Sequence, residues 1–242
     1  MGELIAVLSG KGGTGKTSVC AGIATALALA GESVLCIDCD VGLRNLDIAL
    51  GLGQESVISF AELLRNEYSL TQATQHPVYP TLRFLTAPVD CQQINPTAFL
   101  RLLQEARQQF SYVFLDAPAG LEDGFRLTAR FADRILLVTG ADPAAIRDAA
   151  RAGQELEKMG KQQIRLIVNR IDRKTLRKMG LTVDDIMDQA GLPLLGLVPE
   201  DQNVMLAAAF RQPLLGYTRA GAARACLRIA KRMQGYHVRV TL

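Results

Sequence analysis

The 242-residue chain reads as an α/β protein, a single doubly wound and mostly parallel sheet with helices on both faces, spanning residues 1–242 as one domain. Three observations predict it. Short apolar runs alternate with longer helical stretches along the whole length, the pattern of strands buried under crossover helices. The first apolar run, Leu4–Leu8, leads into a glycine-rich turn and then a helical run. No Pro/Ser-rich linker, low-complexity segment or internal repeat divides the chain.

Taken in order, strands are expected at Leu4–Leu8, Val34–Ile37, Arg83–Leu85, Tyr112–Leu115, Ile135–Val138, Arg165–Val168 and Leu194–Val198, mostly short and apolar on both faces. Helices are expected at Thr17–Ala30, Phe60–Arg65, Pro96–Gln109, Pro143–Lys158, Val183–Gln189, Asn203–Ala208 and Arg219–Gln234. Asn95-Pro96 supplies a cap followed by proline at the first helical position, and Phe99, Leu102, Leu103, Ala106 and Phe110 then form one stripe. Thr182, with Asp185 three residues on, marks another helix start.

Composition excludes more than it identifies. A formal charge of +3 is too small to argue for nucleic acid or an anionic membrane. No apolar run reaches membrane-spanning length, and the N-terminus runs straight into a strand without the pattern of a secretory signal, so a cytoplasmic protein with reduced thiols is expected. Cys20, Cys36, Cys39, Cys91 and Cys226 make an odd set, and Cys36 and Cys39 fall on opposite faces of one strand rather than forming a redox pair. His76 and His237 are expected at the surface, with no zinc spacing between them. Ser9 has no adjacent base pattern. The basic run Arg170, Arg173, Lys174, Arg177 and Lys178 lacks aromatics and reads as a solvated helix face rather than a nucleic-acid patch.

The chemistry lies in Gly10-Lys-Gly-Gly-Thr-Gly-Lys16-Thr17, followed by Ser18. In a phosphate cradle Gly10, Gly12, Gly13 and Gly15 let backbone N–H groups wrap an anion, with Lys11 and Thr14 between them. Lys16 brings a point charge to the β- and γ-phosphates, and the Thr17 hydroxyl suits Mg²⁺. The spacing overlaps a dinucleotide fingerprint, but Lys16-Thr17 adds what such a site does not need. The second strand ends in Asp38-Cys39-Asp40, at the crevice side of a parallel sheet. Asp40 is assigned to position the attacking water and Asp38 to assist the metal. Tyr112-Val-Phe-Leu-Asp116 puts a third carboxylate at a strand tip, where a metal's water shell is held, and Gly120 follows as a flexible sensor of the γ-phosphate. Asn169 offers a donor and an acceptor for the edge of adenine, Arg170 a plane to stack on it, and Pro199-Glu200-Asp201 a second wall. No guanine-specific Asn/Thr-Lys-x-Asp motif is seen, which favours adenine.

Together, Lys11–Thr17, Asp38-Cys-Asp-Val-Gly-Leu-Arg-Asn-Leu-Asp47, Asp116-Ala-Pro-Ala-Gly120, Val168-Asn-Arg170 and Leu192–Asp201 resemble the MinD proteins, within the deviant Walker A ATPases that also include ParA partition proteins. The likeness covers nearly the whole chain. It implies a P-loop NTPase fold, ATP and Mg²⁺ as cofactors, and a slow ATP hydrolase stimulated by a partner. It also implies an ATP-dependent homodimer in which Lys11 of each subunit meets the other's phosphates. The partners implied are a MinC-like division inhibitor and a MinE-like or other topological activator, for a protein that is cytoplasmic or peripheral at the inner face of the cell membrane. Related proteins govern flagellar number and placement, and ParA-like ones bind DNA as ATP dimers. Two departures stand out. Where the family has a Thr-x-Pro-Glu turn, this chain has Thr139-Gly-Ala-Asp-Pro143, with Asp142 as the substitute acid. The basic amphipathic helix that ends MinD proteins is not seen before the chain stops at Arg239-Val-Thr-Leu242. The helix Arg219–Gln234 has a mostly Ala and Cys apolar face, better suited to packing on the sheet than to lipid, so weak or absent direct membrane binding is expected.

Overall fold

Strand β1 (Glu3–Leu8) lies inside the sheet, hydrogen-bonded to a strand on each side. The computed structural model describes residues 1–41, 44–52, 57–88 and 94–241; Gly42, Leu43, Cys91 and Leu242, named above, lie outside them. After β1 come α1 (Lys16–Leu29), β2 (Val34–Asp38), α2 (Leu46–Leu50), α3 (Phe60–Leu64), β3 (Thr74–Gln75), β4 (Leu82–Leu85), α4 (Pro96–Gln109), β5 (Tyr112–Asp116) and α5 (Asp123–Phe131). The second half continues with β6 (Arg134–Thr139), α6 (Pro143–Lys158), β7 (Ile164–Ile171), α7 (Arg173–Met179), α8 (Val183–Ala190), β8 (Leu194–Pro199), α9 (Gln202–Ala209), α10 (Leu214–Tyr217) and α11 (Gly221–Met233).

The described strands form one sheet in the order β3-β4-β2-β5-β1-β6-β7-β8, parallel except for β3 against β4. The chain leaves β1 toward β2 on one side and later fills β6 to β8 on the other. The order therefore reverses beside β1, where a crevice opens at the carboxyl ends of the strands. Alternate residues of each strand point to opposite faces. Ile5 and Val7 join the core under α1 and α11, while Ala6 and Leu8 join the one under α5 and α6. A third cluster packs α3 and α4 on Leu35, Ile37 and Leu115. Cys36 and Cys39 belong to clusters on opposite faces, as their spacing predicts.

Three helices, α2, α5 and α10, went unrecognised in the sequence, and α7 reads there only as a solvated basic helix face without bounds. α2 and α10 are too short to show a 3.6-residue period. α7 buries only Leu176 and is defined by its ends: Asp172 accepts the Lys174 and Thr175 N–H groups, and Gly180 stops it at φ 65°. Its basic residues are exposed, as expected for a solvated face. α5 divides its apolar residues between two clusters, Phe125 and Ala129 on one and Leu127 and Phe131 on the other, which blurs a single helical stripe.

The expectation for His76 is overturned. It is buried, at 1 % exposure. Its Nδ1 accepts the N–H groups of Val78 and Tyr79, which leaves the proton on Nε2 to be donated to the Leu50 carbonyl at 2.8 Å. An isolated histidine in a polar stretch carries no sign of such partners.

α11 packs its Ala222, Ala225, Cys226 and Ile229 face against α1 and β8. Two of its basic residues are also engaged: Arg228 donates to Thr241, and Arg232 donates to the carbonyls of Leu195, Val238 and Arg239, which ties down the segment after the helix. The close approach of α1 and α11 depends on Gly22, where a Cβ would sit 2.6 Å from Cys226 Sγ. Alanine is the better helix former by about 1 kcal/mol, but overpacking costs about 1–3 kcal/mol. Gly22→Ala is expected to lower the urea midpoint, and adding Cys226→Ala to restore it. A single variant as stable as the parent would show that the two helices can part without cost.

Candidate nucleotide-binding site

The loop after β1 has the backbone of a close-fitting anion cradle. Gly13 and Gly15 have φ of 78° and 80°, a region that side chains rarely adopt. Gly15 is the N-cap of α1, so the loop opens directly onto a helix N-terminus. Neighbours hold the loop on two sides. A Cβ at Gly10 would collide with the Asp148 carbonyl of α6, and one at Gly15 with the side-chain amide of Asn169. Asn169 Nδ2 donates to the Thr14 carbonyl at 2.8 Å, and Ser9 Oγ donates to that of Lys11 at 2.9 Å. Gly12 and Gly13 are exposed. The Thr14 hydroxyl is buried and, among the described residues, has no hydrogen-bond partner.

The two loop lysines point to different places. Lys16, 6 % exposed, sends Nζ to Asp116 Oδ1 at 2.8 Å, with Thr17 Oγ1 at 3.4 Å. Lys11 sends its Nζ outward to Asp142 Oδ1 at 3.0 Å, an ion pair with both side chains substantially exposed. Asp142 also caps α6 by accepting the Ala145 N–H. Asp142 of the remodelled turn thus both starts α6 and holds Lys11.

The carboxylates meet because β2 and β5 are neighbours in parallel register, with Asp38 opposite Asp116. Burial pushes Asp116 up, opposed by Lys16. Burial raises Asp38 to about 7, with Asp116 adding to the rise and the N–H groups of Asp40 and Leu46 opposing it. These N–H groups donate to Asp38 Oδ1 and Oδ2 at 2.9 and 3.2 Å. Its clearest job is therefore to hold the turn that carries Asp40. Asp40 is half-buried at the cleft and is raised by burial, with Lys16 pulling the other way.

This donor set fits a magnesium-bound nucleoside phosphate. Lys16 and Asp116 are locked to each other, so a guest must bring an anion for one and a cation for the other. Thr17, the loop N–H groups and the partnerless Thr14 hydroxyl complete the set.

The raised Asp38 has a consequence for stability. Folded Asp38 keeps its proton up to about pH 7, whereas the ordinary value is 3.8. Between those values the native state binds more protons than the unfolded chain, so stability falls as pH rises through the window. In magnesium- and nucleotide-free buffer the urea midpoint is expected to drop across it, and Asp38→Asn to flatten the drop. A variant with the parent's slope would remove Asp38 as its source.

Two clefts flank Gly12–Thr14. The first, of about 420 Å³, runs from Lys16, Thr17 and Ser18 past Asp40 to Val204 and Ala208 of α9. The second, of about 470 Å³, lies between Lys11, Asp142, Arg170 and Glu200. Arg170 sits at φ 58° where β7 is irregular, pairs with Glu200 at 2.7 Å and reaches the Gly13 carbonyl at 3.4 Å. Pro199 ends β8 beside it. Asp201 accepts the N–H groups of Asn203 and Ala222, so its carboxylate fastens the start of α9 to α11. Gly120, at φ 90°, lies in the turn after β5 next to Ala119, which lines the first cleft. Ile48, Val204, Ala208 and Gln212 also line that cleft and were missed in the sequence, which marks α9 as a helix without assigning its faces.

Comparison with known proteins agrees with this geometry. Residues 5–214 match the CobQ/CobB/MinD/ParA nucleotide binding domain. The septum site-determining protein MinD of Bacillus subtilis is 35% identical over 98% of this chain and 91% of its own length. A chain of the MinC:MinD cell division protein complex of Aquifex aeolicus superposes with a TM-score of 0.92 at 32% identity, covering 99% of this chain and 98% of that one. MinD of Pyrococcus horikoshii, complexed with Mg-ADP, gives 0.84 at 26% identity and covers 96% of each chain. The chain belongs to the MinD family of septum site-determining ATPases, within the CobQ/CobB/MinD/ParA nucleotide-binding class.

Proposed function

We propose that this protein is a Mg-ATP-dependent switch that dimerises on binding ATP, positions the division septum by recruiting a MinC-like inhibitor, and resets on hydrolysis. The observation that carries the dimeric reading is the divergence of the two loop lysines. Lys16 is turned inward to Asp116, while Lys11 stands at the surface on an exposed partner, available to a second subunit.

In this reading Gly10, Gly12, Gly13, Thr14 and Gly15 present their N–H groups to the phosphates, and Ser18 lies beside them at the start of α1. Lys16 leaves Asp116 to grip the β- and γ-phosphates. Thr17 and Asp116 would hold a magnesium ion, and Asp38 would support them by fixing the neighbouring turn. Magnesium neutralises charge on the phosphate oxygens. Asp40 orients the attacking water. Gly120 reports the γ-phosphate through its backbone N–H. Asn169, Arg170 and Pro199 flank the base, with Asp201 acting through α9. Lys11 completes the partner's site, as an arginine finger does when supplied in trans.

A MinC-like partner is supported by the Aquifex aeolicus complex, which contains a chain of this fold. A MinE-like or other topological activator would set the timing of hydrolysis. Among the described residues no helix is long and apolar enough to cross a membrane. Residence is read as cytoplasmic or peripheral at the inner face of the cell membrane, with direct lipid binding by this chain weak or absent.

Sedimentation velocity tests the proposal. Mg-ATP, or an analogue that resists hydrolysis, is expected to double the mass, and Mg-ADP to leave a monomer. The same mass under both nucleotides would defeat it.

A further inference from the structure

An apolar patch borders the first cleft, and its two most exposed members, Met205 and Phe210, do not line it. Met205 on α9 is 70% exposed and Phe210, its C-cap, is 62% exposed. Leu206 lies one turn before Phe210 and is also exposed, and Ile48 on α2, which touches α9, is 50% exposed. The Phe210 ring stacks on Tyr217 of α10 at 6.0 Å, so it is held in place at the surface. Isolated exposed apolar side chains are ordinary, but four on one short helix, its C-cap and a helix it touches, beside one cleft, mark a surface that is covered in use.

The position of the patch identifies what covers it. α2 and α9 both follow the carboxyl ends of sheet strands, the edge that also carries the phosphate loop and Lys11. Ile48 lines the same cleft as Gly12 and Gly13, as do Val204 and Ala208 of α9. A two-fold dimer in which each Lys11 reaches the other subunit's phosphates must set this edge against its own copy. What borders the cleft mouth is then carried into the contact. We infer that Met205 and Phe210, with Leu206 and Ile48, form an apolar margin of the nucleotide face that a second copy of this chain covers in the ATP state.

This inference rests on the dimeric reading above and deepens it, since it names where the dimer gains apolar burial. Lys11 senses the nucleotide; the patch supplies non-directional contact once the two faces meet. Neither Met205 nor Phe210 lines either of the two clefts.

The test compares the full chain with Met205→Asp and with Met205→Asp/Phe210→Ser. Dimerisation is measured by sedimentation velocity with Mg-ATP across a protein dilution series, and monomer integrity by Mg-ADP affinity. Losing one or two buried side chains is expected to weaken the ATP dimer about tenfold or more, with Mg-ADP affinity unchanged. Variants that dimerise like the parent would overturn the inference and leave the dimeric reading standing; the patch would then belong to another partner. Loss of Mg-ADP affinity in both variants would overturn it too, by making the patch part of the cleft. A parent chain that stays monomeric in Mg-ATP would take down the dimeric reading itself, and this inference with it.

Discussion

Lys11→Ala is expected to lower partner-stimulated ATP hydrolysis by about 10³-fold or more, the scale of a cation supplied in trans to a phosphoryl transition state. Mg-ADP affinity of the monomer should stay within about twofold, because Lys11 Nζ is bound to Asp142 and not to the Lys16–Asp116 centre. Folding should be little affected. The Lys11–Asp142 pair is exposed, and such pairs contribute only about 0–1 kcal/mol. Asp142 would keep its capping bond to Ala145. The combination separates mechanisms. A lysine that served its own subunit's phosphates would weaken Mg-ADP binding along with turnover. One that serves the partner's phosphates would spare ADP binding and remove both the ATP dimer and the stimulated rate. The measurements are steady-state phosphate release with the activator, sedimentation with Mg-ATP, and calorimetry with Mg-ADP. Unchanged turnover together with an intact ATP dimer would refute the proposed role of Lys11.

The parts of this site that could be read from sequence are those whose chemistry is local in the chain. Gly10–Thr17 declares itself because the glycines, the lysines and the hydroxyl must be consecutive to wrap one anion. Asp38, Asp40 and Asp116 were recognisable because each sits where an apolar run ends, at the crevice edge of a parallel sheet. The layers followed from alternating apolar runs, and all seven strands predicted from them are present with ends shifted by at most a few residues. What could not be read depends on contacts between distant segments. The short helix α2 leaves no period, so Ile48 had no assigned face. α9 shows an apolar sequence but not that Val204 and Ala208 would face a cleft. Asp201 looked like a cleft wall, and only the fold shows the Ala222 N–H that its carboxylate accepts. The burial of His76 needed the Leu50 carbonyl, 26 residues away, to be seen.

The second large effect should come from Lys16, because removing it disturbs two groups at once. Lys16→Ala takes a point charge from the phosphate site, and it strands a carboxylate that is 1 % exposed. The Asp116 pKa is already raised by burial, and Lys16 is the main influence holding it down. Without that ammonium the Asp116 carboxyl is pushed further up, which disfavours the anion that a metal's water shell needs there. Mg-ATP affinity is therefore expected to fall by roughly 10²-fold or more, the usual cost of truncating a buried charge pair at a binding site. The nucleotide-free protein should also lose on the order of 3 kcal/mol, since breaking a buried pair from one side leaves the other charge uncompensated. Lys16→Ala/Asp116→Ala provides the separation. It removes the stranded carboxyl, so its urea midpoint should lie above the sum of the two single losses, while Mg-ATP binding stays absent. Strict additivity of the three stabilities would mean that the 2.8 Å contact between Lys16 and Asp116 holds no energy of its own. Restored binding in the double variant would mean that Lys16 mattered only as a neutraliser of Asp116, and the phosphate contact assigned to it would be wrong.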